Sequence, residues 1–368
     1  MRKALAFFPW LRLNEELTIG DIRLLRYVKG HRAGWEHVDR ADVNAIFMAY
    51  RNRPKDPVRE GVLLEIGDWK SGMEMNSATH SRMWQAREIL AFSALSQREL
   101  FSSVGTYVNS DAFTLIVQNF RSGQGHYFAY STRRRDGQTS NTWTNTDFTF
   151  QRPLHVAEGY CLDIDKPLAE TLLKLPADDP VLEAITEFNA ANTDAGAVAA
   201  HVELVMAKSA LEWLLAIDEK RDSLVKALIK HFPATSVASA KGPLKKKWLS
   251  VRAPRHGRLL EAWAMDFCIL RNTAAHGKRK VGSAPQVWQH AQHLAFISVV
   301  FPLLVKKVLA ERGKFEPSER DLDRMGHVED YLAVDPFNQD KHTRRFAWAE
   351  VDSKIRLHGL ARALRNRT

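Results

Sequence analysis

The sequence predicts an α+β protein in two parts, a sheet-rich mixed N-terminal domain followed by an all-α helical bundle. Three observations carry this expectation. Before residue 165, short apolar runs rich in aromatic and β-branched residues recur between turn residues. After residue 195, apolar residues recur at spacings of three and four over long intervals, the period of an amphipathic helix. Between the two patterns lies 163–180, carrying Pro167, Pro176 and Pro180, which reads as a connection. The expected organisation is 1–165 as the sheet-rich domain, 166–194 as connection and short helix, 195–312 as the bundle, and 313–368 as a basic, partly helical extension. With 368 residues the chain is long enough for two cores.

In chain order, strands are expected at 3–10, 22–28, 62–66, 112–118, 126–132 and 147–151, interrupted by helices at 38–50 and 81–100. Arg133, Arg134 and Arg135 precede Asp136-Gly137, a two-residue turn signal, so this basic cluster reads as a solvated hairpin tip. Strands of this kind suggest a sandwich or curved sheet with attached helices, a surface suited to a sensor or regulatory role. Helices then follow at 181–190, 199–217 and 220–232, the second with Asn192-Thr193-Asp194 as caps and the third closed by Pro233. A motif helix ends at Gly277, a natural C-cap, and a closing helix covers 285–311. The final segment is expected to be helical at 318–331 and 348–364.

Composition narrows the class. With 45% hydrophobic and 26% charged residues the chain reads as an ordinary soluble globular protein. No run of eighteen apolar residues occurs; the nearest, 295–305, is too short to span a bilayer and contains Pro302. The N-terminal apolar segment is also short, with charges returning at Arg12 and Glu15, so it reads as a first strand rather than a signal sequence. Cys161 and Cys268 share no metal-ligand spacing with histidines, and a reducing, cytoplasmic setting is expected. The formal net charge of +10 favours a polyanionic partner.

The chemistry concentrates at Phe267-Cys-Ile-Leu-Arg271-Asn272-Thr-Ala-Ala-His276-Gly277. Leu259, Leu260, Trp263, Phe267 and Leu270 give the approaching helix an apolar face, which surfaces into a guanidinium and an imidazole. Arg271 can grip a phosphate through its planar fork, and His276 can move a proton near neutral pH. The spacing alone carries little, because Arg121 and His126 repeat it across glycines with no helix before them. Basic residues flank the motif. Lys245, Lys246, Lys247, Arg252, Arg255 and Arg258 precede it, with Trp248 among them as a stacking surface, and Lys278, Arg279 and Lys280 follow. Five positions separate Arg271 and His276 by roughly 140° around a helix, so a lone helix does not aim both at one phosphate. Two copies about a two-fold axis can, which makes a homodimer with a composite site the natural expectation.

These residues resemble the arginine, polar residue, short spacer, histidine signature of the HEPN superfamily of helical ribonucleases, in the Leu-Arg-Asn-x-x-Ala-His-Gly form of its ApeA-like branch. The similarity extends over 195–312, with 199–217 resembling the long first helix, including Ala210-Leu-Glu212, and 285–311 the closing helix. The resemblance implies a metal-independent endoribonuclease with no cofactor, acting as a homodimer on RNA. It implies catalytic roles for Arg271, Asn272 and His276, and a place in anti-phage abortive infection or a toxin system, with a phage-derived or small-molecule trigger at the N-terminal domain. In the expected reaction a ribose 2′-hydroxyl attacks the adjacent phosphorus, His276 acts as acid or base, and Arg271 stabilises the developing charge. Glu203 and Glu212, read as sharing one helix face, are candidate supporting acids; the plainer reading is that both solvate that face or pair with lysines such as Lys208. The other reading of the chain is a non-catalytic dimerisation module that binds RNA or a nucleotide, with the N-terminal domain holding the relevant partner.

Competing chemistries lack their motifs. There is no His-Glu-x-x-His, no P-loop and no Gly-x-Ser-x-Gly. His290 and His293 lie three apart without a third ligand and read as surface or interface residues, and Asp163 and Asp165 read as structural.

Overall fold

The computed structural model describes residues 3–30, 35–101, 107–122, 128–133, 136, 139–144, 149–232, 257–275, 287–337 and 348–365, with 128–133 and 139–144 described by backbone alone. It is a mixed α+β chain, an antiparallel N-terminal sheet followed by a helical region. Two compact units divide it: Met1–Gln97 with Ser103–Leu173, and Arg98–Ser102 with Lys174–Thr368.

The first unit is built on a five-stranded sheet. Its strands are β1 (Lys3–Phe8), β2 (Leu17–Ile19), β3 (Ile22–Val28), β6 (Glu60–Ile66) and β7 (Ile116–Phe120), in the order β2-β3-β6-β1-β7. The pairings are antiparallel. Consecutive side chains of a strand face opposite ways, and in β1 both faces are covered. Phe7 packs on Phe47 of α1 (Arg40–Phe47) and on Tyr50, whereas Phe8 packs on Phe113. That is why β1 reads as a continuous apolar run instead of an alternating one. Gly61 is required beside it, because a Cβ there would lie 2.4 Å from the Phe47 ring.

Smaller elements complete the unit. β4 (Tyr50–Arg53), β5 (Asp56–Pro57) and β10 (Phe150–Gln151) form a second sheet. β8 (Phe128–Arg133) and β9 (Thr139–Thr144) pair antiparallel from Phe128 with Thr144 to Arg133 with Thr139; Arg134, Arg135 and Gly137 of the expected hairpin tip lie outside the described residues. The expected strand at 112–118 begins instead as a single 3-10 turn, Ser110–Phe113, capped by Asn109, before β7 starts. The long helix α2 (Ser77–Leu95) is capped by the Asn76 side chain, which accepts from the Thr79 N–H at 2.8 Å.

The boundary at 166–194 needs correction. α3 (Lys166–Leu173) lies within this stretch and packs on α2, burying Leu168, Ala169 and Leu172. Proline does not interrupt this helix, since Pro167 sits in the first turn, where it costs no hydrogen bond. The Asp165 carboxylate caps that turn, accepting from the Leu168 N–H at 3.2 Å. α4 (Pro180–Ala190) belongs to the second unit and packs along α5 (Ala200–Leu215). The caps assigned to Asn192, Thr193 and Asp194 are corrected too, because α5 starts after Ala199, which makes no side-chain cap.

The helical unit continues with α6 (Arg221–His231), α7 (Leu259–Ala275) and α8 (His290–Glu311), then α9 (Glu319–Gly326), α10 (Val328–Val334) and α11 (Trp348–Arg365). α5 packs on both α7 and α8, and α6 packs on α7. α8 is long and apolar enough to match a membrane span, but 67% of that window is buried within the unit. Phe301, for one, stacks on Phe188 of α4.

Residues after 313 are also more than an extension. Tyr331, Leu332, Trp348, Val351 and Ile355 are buried. The charges that made this region look solvated are turned inward. Fully buried Asp330 receives His327 Nδ1 at 2.9 Å, His358 Nδ1 at 3.0 Å and Arg362 at 3.0 Å. Buried Lys306 of α8 meets Asp321 of α9 at 2.7 Å. Burial alone would raise the Asp321 carboxyl, yet Lys306 and Ser318 hold it below its usual range.

Candidate active site at the end of the motif helix

α7 is a core helix for most of its length. Leu259, Leu260, Ala262, Trp263, Ala264 and Phe267 are buried, and Trp263 stacks on Phe267 with ring centroids 5.2 Å apart. Its first turn is fixed from α10, where Glu329 Oε1 accepts from the Leu260 N–H at 3.1 Å and from Arg258 Nε at 2.9 Å. Its last turn leaves the core. Arg271 is half-buried, Asn272 is exposed, and the Arg271 guanidinium donates to Asn272 Oδ1 at 3.2 Å. The Arg271 Nε is buried with no hydrogen-bond partner.

One turn below Arg271, burial pushes the Cys268 thiol up to about 11, against the pull of Lys208, Arg221 and Arg271; Glu212 pushes it further. The motif arginine therefore shares its surroundings with charges on α5 and α6. Lys208, with none of its surface exposed, is held by the Glu212 carboxylate and donates to the Glu219 carbonyl at 3.1 Å.

Several sequence-based assignments change. Arg258, expected to bind RNA, is buried and committed to Glu329 and, through Nη2, to the Phe232 carbonyl at 2.6 Å. Glu203 and Glu212 do not share a face: nine residues make two and a half turns, which puts them on opposite sides of α5. Glu212 belongs to Lys208, as the plainer reading had it. Glu203 is half-buried in the first turn of α5. His293 is not a surface residue; it has no exposed area and sits among Trp263, Phe267 and Trp288. His276, Lys245, Lys246, Lys247, Trp248, Arg252, Arg255, Lys278, Arg279 and Lys280 lie outside the described residues.

A buried polar centre, absent from the sequence-based expectations, lies on the same motif helix. Asp266 Oδ2 accepts from the Val287 N–H at 3.1 Å, the Trp288 N–H at 3.0 Å and His293 Nε2 at 3.2 Å. This carboxylate ties the start of α8 to the middle of the motif helix. Burial holds the His293 imidazole below its usual value although Asp266 pulls the other way, so it is neutral at pH 7 and its Nε2 carries the donated proton. His290, one turn earlier, is likewise lowered by burial and then by His293 and His201. The signal for Asp266 was present in the sequence: an acid one position before Phe267 stands on the apolar side of the helix.

No family model matches the chain, and no curated protein or solved structure is detectably similar to it.

Arg271 and Asn272 offer a fixed guanidinium with an adjacent amide at an exposed helix end. Among the described residues, no cluster of three or more His, Cys, Asp or Glu could hold a metal. The arrangement suits binding an anion.

Proposed function

We propose that this protein is a HEPN-type endoribonuclease that cuts RNA without a metal at a site completed by a second copy of the chain. The observation that carries the reading is the end of α7, a buried helix that surfaces at Arg271 and Asn272, five and four residues before His276. Among the described residues Arg271 has only the neutral Asn272 amide as a hydrogen-bond partner, which leaves its positive charge to meet a phosphate. A structural arginine in such a place would be expected to pair with an acid, as Arg258 does at the other end of the same helix.

The reaction follows from these groups. A base removes the ribose 2′-hydroxyl proton, the 2′-oxygen bonds to phosphorus, and the 5′-oxygen leaves with a proton from an acid. His276 and its copy in the second subunit take these two proton roles. Arg271 stabilises the charge on the non-bridging oxygens, and Asn272 orients the arginine to which it is bonded. The products are a 2′,3′-cyclic phosphate and a 5′-hydroxyl. In the cell this chemistry fits a cytoplasmic defence or toxin role, with the N-terminal unit restraining the nuclease until a trigger arrives.

Full-length protein incubated with RNA in EDTA provides the test. His276→Ala is expected to lower cleavage at least a hundredfold while leaving dimer formation and RNA binding intact. Wild-type protein that cuts no RNA with or without candidate activators, and binds it no differently from His276→Ala, would leave the non-catalytic binding module as the correct description. A chain that stays monomeric while it cuts would remove the composite site.

A further inference from the structure

We infer that Arg221, at the first position of α6, works with Arg271 as a two-guanidinium clamp for the RNA phosphodiester backbone. The inference rests on the proposed site and adds a binding residue to it from a different helix.

Helix geometry places the two arginines together. α6 and α7 pack against each other, and their near ends are tied where Arg258 donates to the Phe232 carbonyl at 2.6 Å. α6 therefore ends where α7 begins, and the two run antiparallel. Both helices rise about 1.5 Å per residue, so counting from that tie brings Arg221 level with Ile269, between Cys268 and Arg271. Both guanidinium charges pull the Cys268 thiol toward its thiolate, against the upward push of burial, which agrees with this placement. The turn before α6 is held in place by Lys208, which donates to the Glu219 carbonyl at 3.1 Å, two residues before Arg221.

The charge balance gives the clamp its ligand. Glu212 is engaged by Lys208, so it does not neutralise either arginine. The Arg221 Nε is buried with no hydrogen-bond partner, like that of Arg271. Its nearest acid is the exposed neighbour Asp222 at 3.6 Å, a contact that contributes little in water. Two guanidiniums on facing helices, with no shared carboxylate among the described residues, suit one phosphodiester or two adjacent ones.

Binding of a fluorescent, fully 2′-O-methylated RNA to the full-length chain tests this apart from cleavage, since that sugar has no nucleophile. Arg221→Gln is expected to weaken binding roughly tenfold and to flatten the slope of log affinity against log salt by about 0.7. Arg221→Lys should recover part of the affinity. Lys226→Gln, an equal loss of charge at an exposed position of the same helix about 140° away, should change binding by less than about twofold. Thermal unfolding of each variant shows whether the fold is kept. Arg221→Gln that folds normally and binds like Lys226→Gln overturns the clamp, as does a wild-type chain that binds no RNA. If Arg221 governs binding but unmodified RNA is never cut, the clamp stands and the nuclease reading falls; cleavage indifferent to Arg221 gives the reverse.

Discussion

Lys208 shows how far a single residue's role depends on what lies around it. In the sequence it is an ordinary helix lysine four positions before Glu212, and the pair could equally have been a solvated face or part of a catalytic set. In the fold Lys208 has no exposed surface, and the Glu212 carboxylate and the Glu219 carbonyl compensate its buried charge. Glu212 is therefore expected to act through folding. Glu212→Ala leaves the ammonium without its counter-charge and should destabilise the protein by about 3 kcal/mol in urea unfolding. The double variant Lys208→Met with Glu212→Ala removes charge and partner together and should recover most of that loss. If Glu212→Ala instead kept full stability and lost only turnover, the carboxylate would belong to the chemistry.

At the level of elements, most helices were legible in the sequence, whereas the burial of those stabilised by inward-facing charge was not. The strand 22–28 and the helix ends near 190, 232 and 311 were legible because apolar period and caps agree there. α9, the start of α10 and α11 stand where helices were expected at 318–331 and 348–364, but their place in the core was not legible, because Asp321, Glu329 and Asp330 are buried residues whose partners come from distant positions. The motif helix shows both cases. Its apolar face and its surfacing at Arg271 could be read from spacing, but the bond from Asp266 to His293 spans 27 residues and no local pattern encodes it. The burial of His293 gives the helix pair a pH dependence. Burial depresses the folded-state pKa of His293 below its ordinary value of 6.5, so the unfolded chain takes up the proton first. The contribution of His293 to stability is complete above about pH 6.5 and declines as pH falls below it. Chemical denaturation from pH 7.5 to 5.5 should show this decline. His293→Gln, which keeps an N–H donor for Asp266 but cannot titrate in this range, should flatten it; an unchanged slope would assign the acid sensitivity to another group.

At the level of the whole molecule, the two units are not two consecutive stretches of chain. Residues Arg98–Ser102 leave the first unit to join the second. There Arg98 donates to Asn192 Oδ1 at 2.6 Å, and the Phe101 ring lies 6.4 Å from Phe337 and 6.3 Å from Trp348. Phe101 does this with a φ of +61°, a conformation an aromatic residue adopts only when its surroundings hold it there. A fragment beginning at Lys174 retains the rest of the helical unit but loses this insertion, so it should fold with about 3 kcal/mol less stability than the same unit in the full chain. Phe101→Ala in full-length protein should lower the stability of the helical unit by a similar amount and leave the sheet unit unchanged, as hydrogen exchange would resolve. The same fragment tests restraint by the N-terminal unit. If the first unit holds the nuclease in check, the fragment should be more toxic on expression than the full chain despite its lower stability. A fragment that is folded, soluble and no more toxic than the full chain would show that restraint lies within the helical unit itself.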